Sequence, residues 1–395
     1  MRIEDRKKES CCGCTGCLSV CPKSAISMKI DEQGFEYPVI NESLCIECGS
    51  CLNVCTKIST YKYPVYSCYA AKNKDQDVVL SSSSGGIIDA LCKTILRMNG
   101  VVYGAAYNEN LKLIYKRAKT EDECLAFRGS KYVQACLGST FQDVLQDLKE
   151  NKKVLFIGPS CYVGGLRSYL EMKKCDMSEL YTVDFICHGV PSPGVFKDYI
   201  KFINPNNNLV DVVFRNKKDV LGNKLPIPWK YGKFNCSLVY KDGQREVNTT
   251  KSRIYLNLFT SHNCLRPHCY SCNFIGVEKS GDITVADYWG IDEVHSEFAD
   301  ENGVSALMIH TKKGCELFND CHNIEYIKSS IDNISKKQGM LRAAASKGND
   351  YEKFWEDYHK KDFLYIARKY GEYSFMGRLR LSKLYYFYNK IRYGE

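Results

Sequence analysis

Along residues 68–190 the apolar positions keep changing period, and the changes divide the chain into alternating strands and helices. YAAKN, GVVYGAAYN and LKLIYKRA carry the short apolar or alternating runs of strands. Between the first two, Ile87, Ile88, Leu91, Ile95 and Leu96 fall at helical spacing, with serines before them as caps and Gly100 as a stop. TFQDVLQDLKEN predicts a further helix. KKVLFIGPSCYVGGLRSYL predicts a buried strand, a tight turn and a helix, and ELYTVDFICHGVPSP a strand with a loop at its C-terminal end. This is the pattern of an α/β body whose ligands are expected in the loops after the strands.

The flanks differ from that body. ISMKIDEQGFEYPVI predicts two strands about a turn at Gly34, and TKISTYKYPVYS is a Tyr-rich polar linker. Beyond residue 330 the pattern turns helical in ISKKQGMLRAAASKG, FWEDYHKKDFLYIARKYG and SFMGRLRLSKLYYFYNKIRYG. The expected order is a small front domain at 1–62, two parts of one body at 63–150 and 151–330, and a helical tail at 331–395. The fold class is α+β. The last stretch, 374–395, mixes Arg and Lys with Tyr, Phe and Leu; a helical pair packed on the body is preferred to peripheral membrane contact or partner docking.

The cysteines change the picture most. Cys11, Cys14, Cys17 and Cys21, followed by Pro22, make a C-x2-C-x2-C-x3-C-P run, and Cys45, Cys48, Cys51 and Cys55 repeat its spacing 34 positions later. Three cysteines on a tight loop converge on three corners of a cubane, and in two-cluster ferredoxins the fourth ligates the other cluster. One [4Fe–4S] cluster is therefore assigned to Cys11, Cys14, Cys17 and Cys55, the other to Cys45, Cys48, Cys51 and Cys21. Small residues at Gly13, Thr15, Gly16, Gly49 and Ser50 let backbone N–H groups approach the sulfurs. Thr56 stands where the first repeat has Pro22, which alters the exit turn and not the ligation. Zinc sites instead place two pairs across a long spacer. In this register Cys11 matches Cys45 and Cys12 matches Ile46, so Cys12 is expected to be a bystander.

A third group, Cys264, Cys269 and Cys272 in HNCLRPHCYSCNF, needs a fourth ligand. Cys187 in CHGVPSP is the first choice and Cys161 in GPSCY the runner-up, for a third [4Fe–4S] cluster. The alternative is structural zinc, with His262 or His268 contributing.

Composition narrows the setting. The chain of 395 residues is 44% hydrophobic and 26% charged, ordinary for a soluble protein, and its longest apolar runs are too short to span a bilayer. The charged start MRIEDRKKES lacks a secretory core, so a cytoplasmic protein is expected, its 22 cysteines serving as thiols or metal ligands. The net charge of +9 is scattered, and no nucleic-acid motif accompanies it. Three loops invite a ligand: SSSSGG at a helix N-terminus as a phosphate cradle, GPSCYVGG, where backbone can approach closely, and RGSKYVQ, with Arg128 and Lys131 beside Tyr132.

The stretches SSSSGGIIDAL, RGSKYVQ, GPSCYVGGLRSYL, DFICHGVPSP, CLRPHCYSCNF and SGDITVADYWG, in this order, resemble the beta subunits of coenzyme F-420 (deazaflavin) hydrogenases and dehydrogenases. That family's relatives include chlorophyll-pathway reductases and bacterial proteins encoded with polysaccharide genes; a subset carries a ferredoxin-like front. The resemblance implies an FAD-binding body beside an iron–sulfur cluster, with the flavin exchanging a hydride with a substrate or carrier while clusters move single electrons. Ser84, Gly85 and Gly86 would lie at the flavin, as would Ser130, Lys131 and Tyr132. Cys187, Cys264, Cys269 and Cys272 would hold the proximal cluster, and Asp282, Asp287 and Trp289 would line the site. Ser160 replaces a frequent Thr-Pro of the family before Cys161, and Asp89 a frequent Thr. Partners would be ferredoxin or another redox protein and a small-molecule substrate or hydride carrier. A non-catalytic electron-transfer subunit of a larger complex is the alternative. The one acid–base candidate is His188.

Overall fold

A computed structural model of the protein describes residues 2–219, 221–224, 235–374 and 377. At the front, β1 (Ile26–Ile30) and β2 (Glu36–Ile40) form an antiparallel hairpin turned at Gly34, whose φ of +82° an L side chain rarely adopts. The Asp31 carboxylate closes the turn by accepting from the Gln33 and Phe35 N–H groups at 3.1 and 2.9 Å. Two short helices, Gly16–Val20 and Ser50–Thr56, pack on each other. Their approaches match: left-handed residues at Gly13 and Thr15 recur at Glu47 and Gly49, 34 positions on. The duplication in sequence is a duplication in backbone.

The body is built on strands β3 (Ser67–Asn73), β4 (Val101–Tyr107), β5 (Leu113–Ala118), β6 (Val154–Ile157) and β7 (Leu180–Phe185). A separate three-stranded sheet of β8 (Leu209–Val213), β9 (Ser237–Tyr240) and β10 (Arg245–Val247) intervenes. Strands β11 (Ile283–Asp287), β12 (Ser305–Ile309) and β13 (Ile324–Ser329) then return to the first sheet, whose order is β13-β3-β12-β11-β7-β6-β4-β5. Neighbours β11, β7, β6 and β4 run parallel, joined by crossovers that include the helices Thr140–Lys149 and Ser160–Met172. Because β3 and β11 are both antiparallel to β12, β3 shares their direction. The carboxyl ends of β3, β4, β6, β7 and β11 thus meet along one edge of the sheet.

The front is seated on the helix Ser160–Met172. Val20, Val54 and Ile58 join Phe141, Leu166 and Tyr169 in one apolar cluster. Glycines make the approach possible: a Cβ on Gly165 would lie 2.9 Å from both Cβ and Sγ of Cys14. Ser168 Oγ donates to the Val54 carbonyl at 2.7 Å, and the Lys57 ammonium meets Glu171 at 2.6 Å. The glycine pair that ends GPSCYVGG, Gly164 and Gly165, therefore serves docking of the front.

The expected strands and helices of 68–190 are present. The small sheet β8–β10 has no counterpart in the sequence reading, its strands being short and separated by polar turns. The tail departs further from expectation. ISKKQGMLRAAASKG holds only the last two residues of the helical turn Ile331–Ser335 and the 3-10 turn Gly339–Leu341, and the chain then runs irregularly to residue 350. Its small residues offer no continuous apolar face, and the Gly348 N–H is tied to the His262 carbonyl at 3.3 Å. Helices Tyr351–Lys360 and Phe363–Tyr370 follow. Most of the basic and aromatic stretch 374–395 lies outside the described residues. No helix among the described residues is long and apolar enough to cross a membrane.

Candidate redox site

The shared strand edge opens onto a cavity of about 400 Å³, within the range of small-molecule sites. Ser82–Ser84 and Gly86 line it just before the helix Ile87–Arg97, whose N-terminus carries no side-chain cap and begins after left-handed Gly86. Its first-turn N–H groups suit a phosphate. Opposite, Arg128–Val133 form a wall: the Ser130 N–H donates to Ser83 Oγ at 2.7 Å, and Asp89 holds Arg128 at 2.9 and 2.6 Å. Asp89, standing where the family often has Thr, thus pins this loop to the helix. Tyr132 stacks on Phe259 at 4.6 Å between centroids, and Trp289 lies under the Arg215 guanidinium, itself paired with Asp287. Aromatic and apolar walls with a phosphate-binding end fit a dinucleotide flavin.

Most of the residues expected at a flavin line this cavity: Ser84, Gly86, Ser130, Lys131, Tyr132, Asp287 and Trp289, and the acid–base candidate His188 lines it too. Two do not. Asp282 is buried beneath the sheet, where Arg167 pairs with it at 3.0 Å and Thr182 and Thr311 donate to it; its role is structural. Gly85 packs against the sheet, where a Cβ would come within 2.6 Å of the Ala71 carbonyl. Lys131 turns its ammonium to the Arg128 and Gly129 carbonyls, and burial brings its pKa down to about 8. Sequence reasoning missed Arg215 and Phe259, which come from the small sheet and the helix Thr250–Thr260.

Behind Cys187, His188 and Pro159 lies a second, narrow cavity of about 40 Å³ lined by Cys161, Cys187, Cys269 and Cys272. Of the expected quartet, Cys187, Cys269 and Cys272 line this cavity; Cys264 does not, being fully buried in the aromatic core with its thiol toward the Leu258 carbonyl at 3.4 Å, and Cys161 lines the cavity beside the other three. The x4 spacer of CLRPHC carries Cys264 away from Cys269, whereas the first turn of the helix Ser160–Met172 delivers Cys161. Backbone N–H groups of Gly189, Val190 and Phe274 point at Cys187, Cys269 and Cys272, each at 3.4 Å. Gly189, at φ +100°, passes so close that a Cβ would be 3.2 Å from that of Cys269. The same cavity is lined by Lys279, 2% exposed, whose ammonium donates to the Phe274 carbonyl, and by His268, whose buried Nε2 has no partner.

No three His, Cys, Asp or Glu side chains among the described residues gather as around a single ion. A [4Fe–4S] cluster is held by four thiolates, and hydrogen bonds to its sulfurs tune it. His262 stands apart from these thiols, its Nε2 2.6 Å from that of His188.

In the front, Cys21, Cys45, Cys48 and Cys51 line one cavity of about 340 Å³. Cys17 lies within electrostatic reach of Cys11 and Cys55, and burial raises its pKa. The crossing of fourth cysteines is thus present in the geometry. Cys12 is buried, lies close to Cys14 and Cys161, and lines the narrow cavity. Front and body sites meet there.

Comparison with known families agrees with this layout. Residues 68–141 match the family model for the N-terminal part of the coenzyme F420 hydrogenase/dehydrogenase beta subunit, and residues 151–333 match the model for its C terminus. Residues 10–57 match a 4Fe-4S dicluster domain. A search of curated proteins finds no match. Among solved structures, the F420-reducing [NiFe] hydrogenase complex from Methanosarcina barkeri, studied by xenon derivatization, is similar at 16% identity and a TM-score of 0.46. The similarity covers 71% of this chain and 91% of that one. The chain belongs to the coenzyme F420 hydrogenase/dehydrogenase beta-subunit family and is an iron–sulfur redox protein.

Proposed function

We propose that the protein is an iron–sulfur flavoprotein oxidoreductase that exchanges electrons between a ferredoxin-type partner and a small organic substrate or hydride carrier. One observation carries this reading: the 400 Å³ cavity and the four-cysteine cavity share a wall of Pro159, Tyr162, Phe185, Cys187 and His188. A large organic group and an iron–sulfur cluster would there stand back to back.

FAD, when bound, would supply the junction between two-electron hydride chemistry and one-electron clusters. The chain's own residues would do the rest. The open N-terminus of Ile87–Arg97 and Ser82–Ser84 would take the phosphates, while Tyr132, Phe259 and Trp289 would sandwich or edge the ring and keep water from it. Arg215 is fixed by Asp287 and so presents a set positive charge on the cavity wall. Cys161, Cys187, Cys269 and Cys272 would hold a third [4Fe–4S] cluster, and the two front quartets the other pair. The second front site, with Cys48 exposed, is where a redox partner would dock.

Anaerobic purification with cofactor assay tests this. The expected content is extractable FAD with about twelve iron and twelve acid-labile sulfide per chain, as three cubanes require. About eight of each with one zinc would replace the third cluster by a structural metal site, for which His268 is placed to contribute. Absence of FAD, with no turnover of any carrier, would leave an electron-transfer subunit and overturn the enzyme reading.

A further inference from the structure

The largest fully buried side chain among the described residues is charged. Arg266, 1% exposed, rises from the loop between Cys264 and Cys269 and crosses into the front. Its Nε donates to the Cys11 carbonyl at 2.7 Å, Nη1 to Gln134 Oε1 at 2.8 Å, and Nη2 to the Glu36 carbonyl at 3.0 Å and Cys11 Sγ at 3.4 Å. Its guanidinium lies over Tyr37, 4.4 Å from the ring centroid, with Phe35 at 5.4 Å. Gly13 leaves room for it, since a Cβ there would be 2.9 Å from Nη1. No carboxylate lies within ion-pair distance of it among the described residues. Burying a guanidinium without a counter-charge is costly, and the acidic side chain to which it donates directly is the Cys11 sulfur.

We infer that Arg266 is the built-in counter-charge of the cluster held by Cys11, Cys14, Cys17 and Cys55, and that it makes this cluster the more easily reduced of the front pair. The inference rests on the ligand assignment proposed above. A [4Fe–4S] core with four thiolates is anionic and gains one further negative charge on reduction, so a fixed cation in a dry site favours the reduced form.

The second front site has no equivalent among the described residues. Its cavity is lined by the exposed Lys23 and by Arg2, which is 45% exposed at the side chain and already paired with Glu42 and Glu47. Solvent and those carboxylates screen it. The duplicated backbone therefore carries two electrostatically unequal sites. Electrons entering at the exposed site are drawn inward, toward the body.

Redox titration of the anaerobic full-length holoprotein, followed by electron paramagnetic resonance, tests this with Arg266→Met, Arg266→Lys and Gln134→Glu. Arg266→Met should retain its iron and sulfide while one midpoint falls by a tenfold or greater change in the reduction equilibrium, about 59 mV for one electron. Arg266→Lys, which keeps the charge, should restore most of the shift. Full cluster content with every midpoint unmoved in Arg266→Met overturns the inference. Should that variant lose iron through misfolding, Gln134→Glu decides, because a carboxylate 2.8 Å from Nη1 should lower the same midpoint and an unmoved midpoint overturns it. If instead Cys11→Ala keeps the full iron content, the ligand assignment fails first and the inference with it.

Discussion

The front and the body each gather cysteines, but by opposite means. In the front, every ligand candidate lies within 45 residues of the others, and two copies of one local backbone turn present them. In the body, Cys161 comes from the start of a helix after β6, Cys187 from the loop after β7, and Cys269 and Cys272 from a 3-10 turn before β11. The first kind of site is a property of a short segment. The second exists only when the sheet has formed and brings its strand ends together. Local spacing is therefore informative for the front and misleading for the body.

The sharpest way to break this contrast is to remove single body cysteines. Cys161→Ala should lower iron and sulfide from about twelve to about eight per chain, because it opens a four-cysteine wall. Cys264→Ala should leave both unchanged and cost stability only, since its thiol sits in an aromatic core. Metal analysis of anaerobic preparations reads both. A full complement in Cys161→Ala, or a loss of four iron in Cys264→Ala, would return the site to the sequence-derived quartet.

The different placements of Cys264 and Cys161 show what can be read before folding. The duplicated quartets, the strand and helix alternation and the ligand loops SSSSGG and RGSKYVQ are all legible, because each is a local pattern in period or spacing. Cys264 attracts a ligand role through its nearness to Cys269 in sequence, yet a spacer of LRPH turns it into the opposite face of the loop. Asp282 attracts one through its nearness to a strand that does line the cavity; it stands just before the amino end of β11, and the carboxyl end, at Asp287, is what reaches the edge. Arg215 and Phe259 carry no sequence signal at all. They enter the site from the second sheet and its following helix, by tertiary packing alone.

The docking of front on body is the next contrast to test. Gly165→Val should place methyl groups on Cys14 and push the front off the helix Ser160–Met172, an overpacking cost of about 1–3 kcal/mol. Limited proteolysis should then cut the 57–66 linker faster, while Gly339→Ala, with no atom within 4 Å of the added Cβ, should leave the rate unchanged. Cleavage unaltered in Gly165→Val would mean that the two regions associate loosely.

A smaller effect concerns the body alone. Lys217 donates to the Val79 and Ser84 carbonyls at 2.9 Å each, and burial, aided by Arg215, brings its pKa down to about 7 from an ordinary 10.5. The folded state thus releases this proton earlier than the unfolded chain. Between pH 7 and 10.5 the unfolded state binds more protons, so stability rises with pH through that window, and below pH 7 the full penalty remains. The gain is at most about 1.4 kcal/mol per pH unit. In thermal melts of holoprotein from about pH 7 to 9, Lys217→Met should show a shallower rise than the native chain. Equal slopes would place the lysine's charge in contact with solvent.

Cys12 draws the comparison to its finest point, because it belongs to the front by sequence and to the body by contact. Its repeat partner, Ile46, is 57% exposed, whereas Cys12 is 8% exposed between Cys14 and Cys161. The same backbone position is solvated in one copy and sealed in the other, and only docking of the front explains the difference. As a spacer between two ligand thiols, Cys12 should be dispensable for assembly but not for communication. Cys12→Ala should keep about twelve iron per chain and every midpoint, yet pass electrons from front to body a few-fold more slowly in stopped-flow reduction, since a gap replaces a sulfur in contact with both sites. An unchanged rate would put the transfer route elsewhere, through Gln134 and Arg266, which bridge the same boundary by hydrogen bonds to the Cys12 and Cys11 carbonyls. Loss of four iron would make Cys12 itself a ligand, and the boundary between the front and the body would then run through a single cluster.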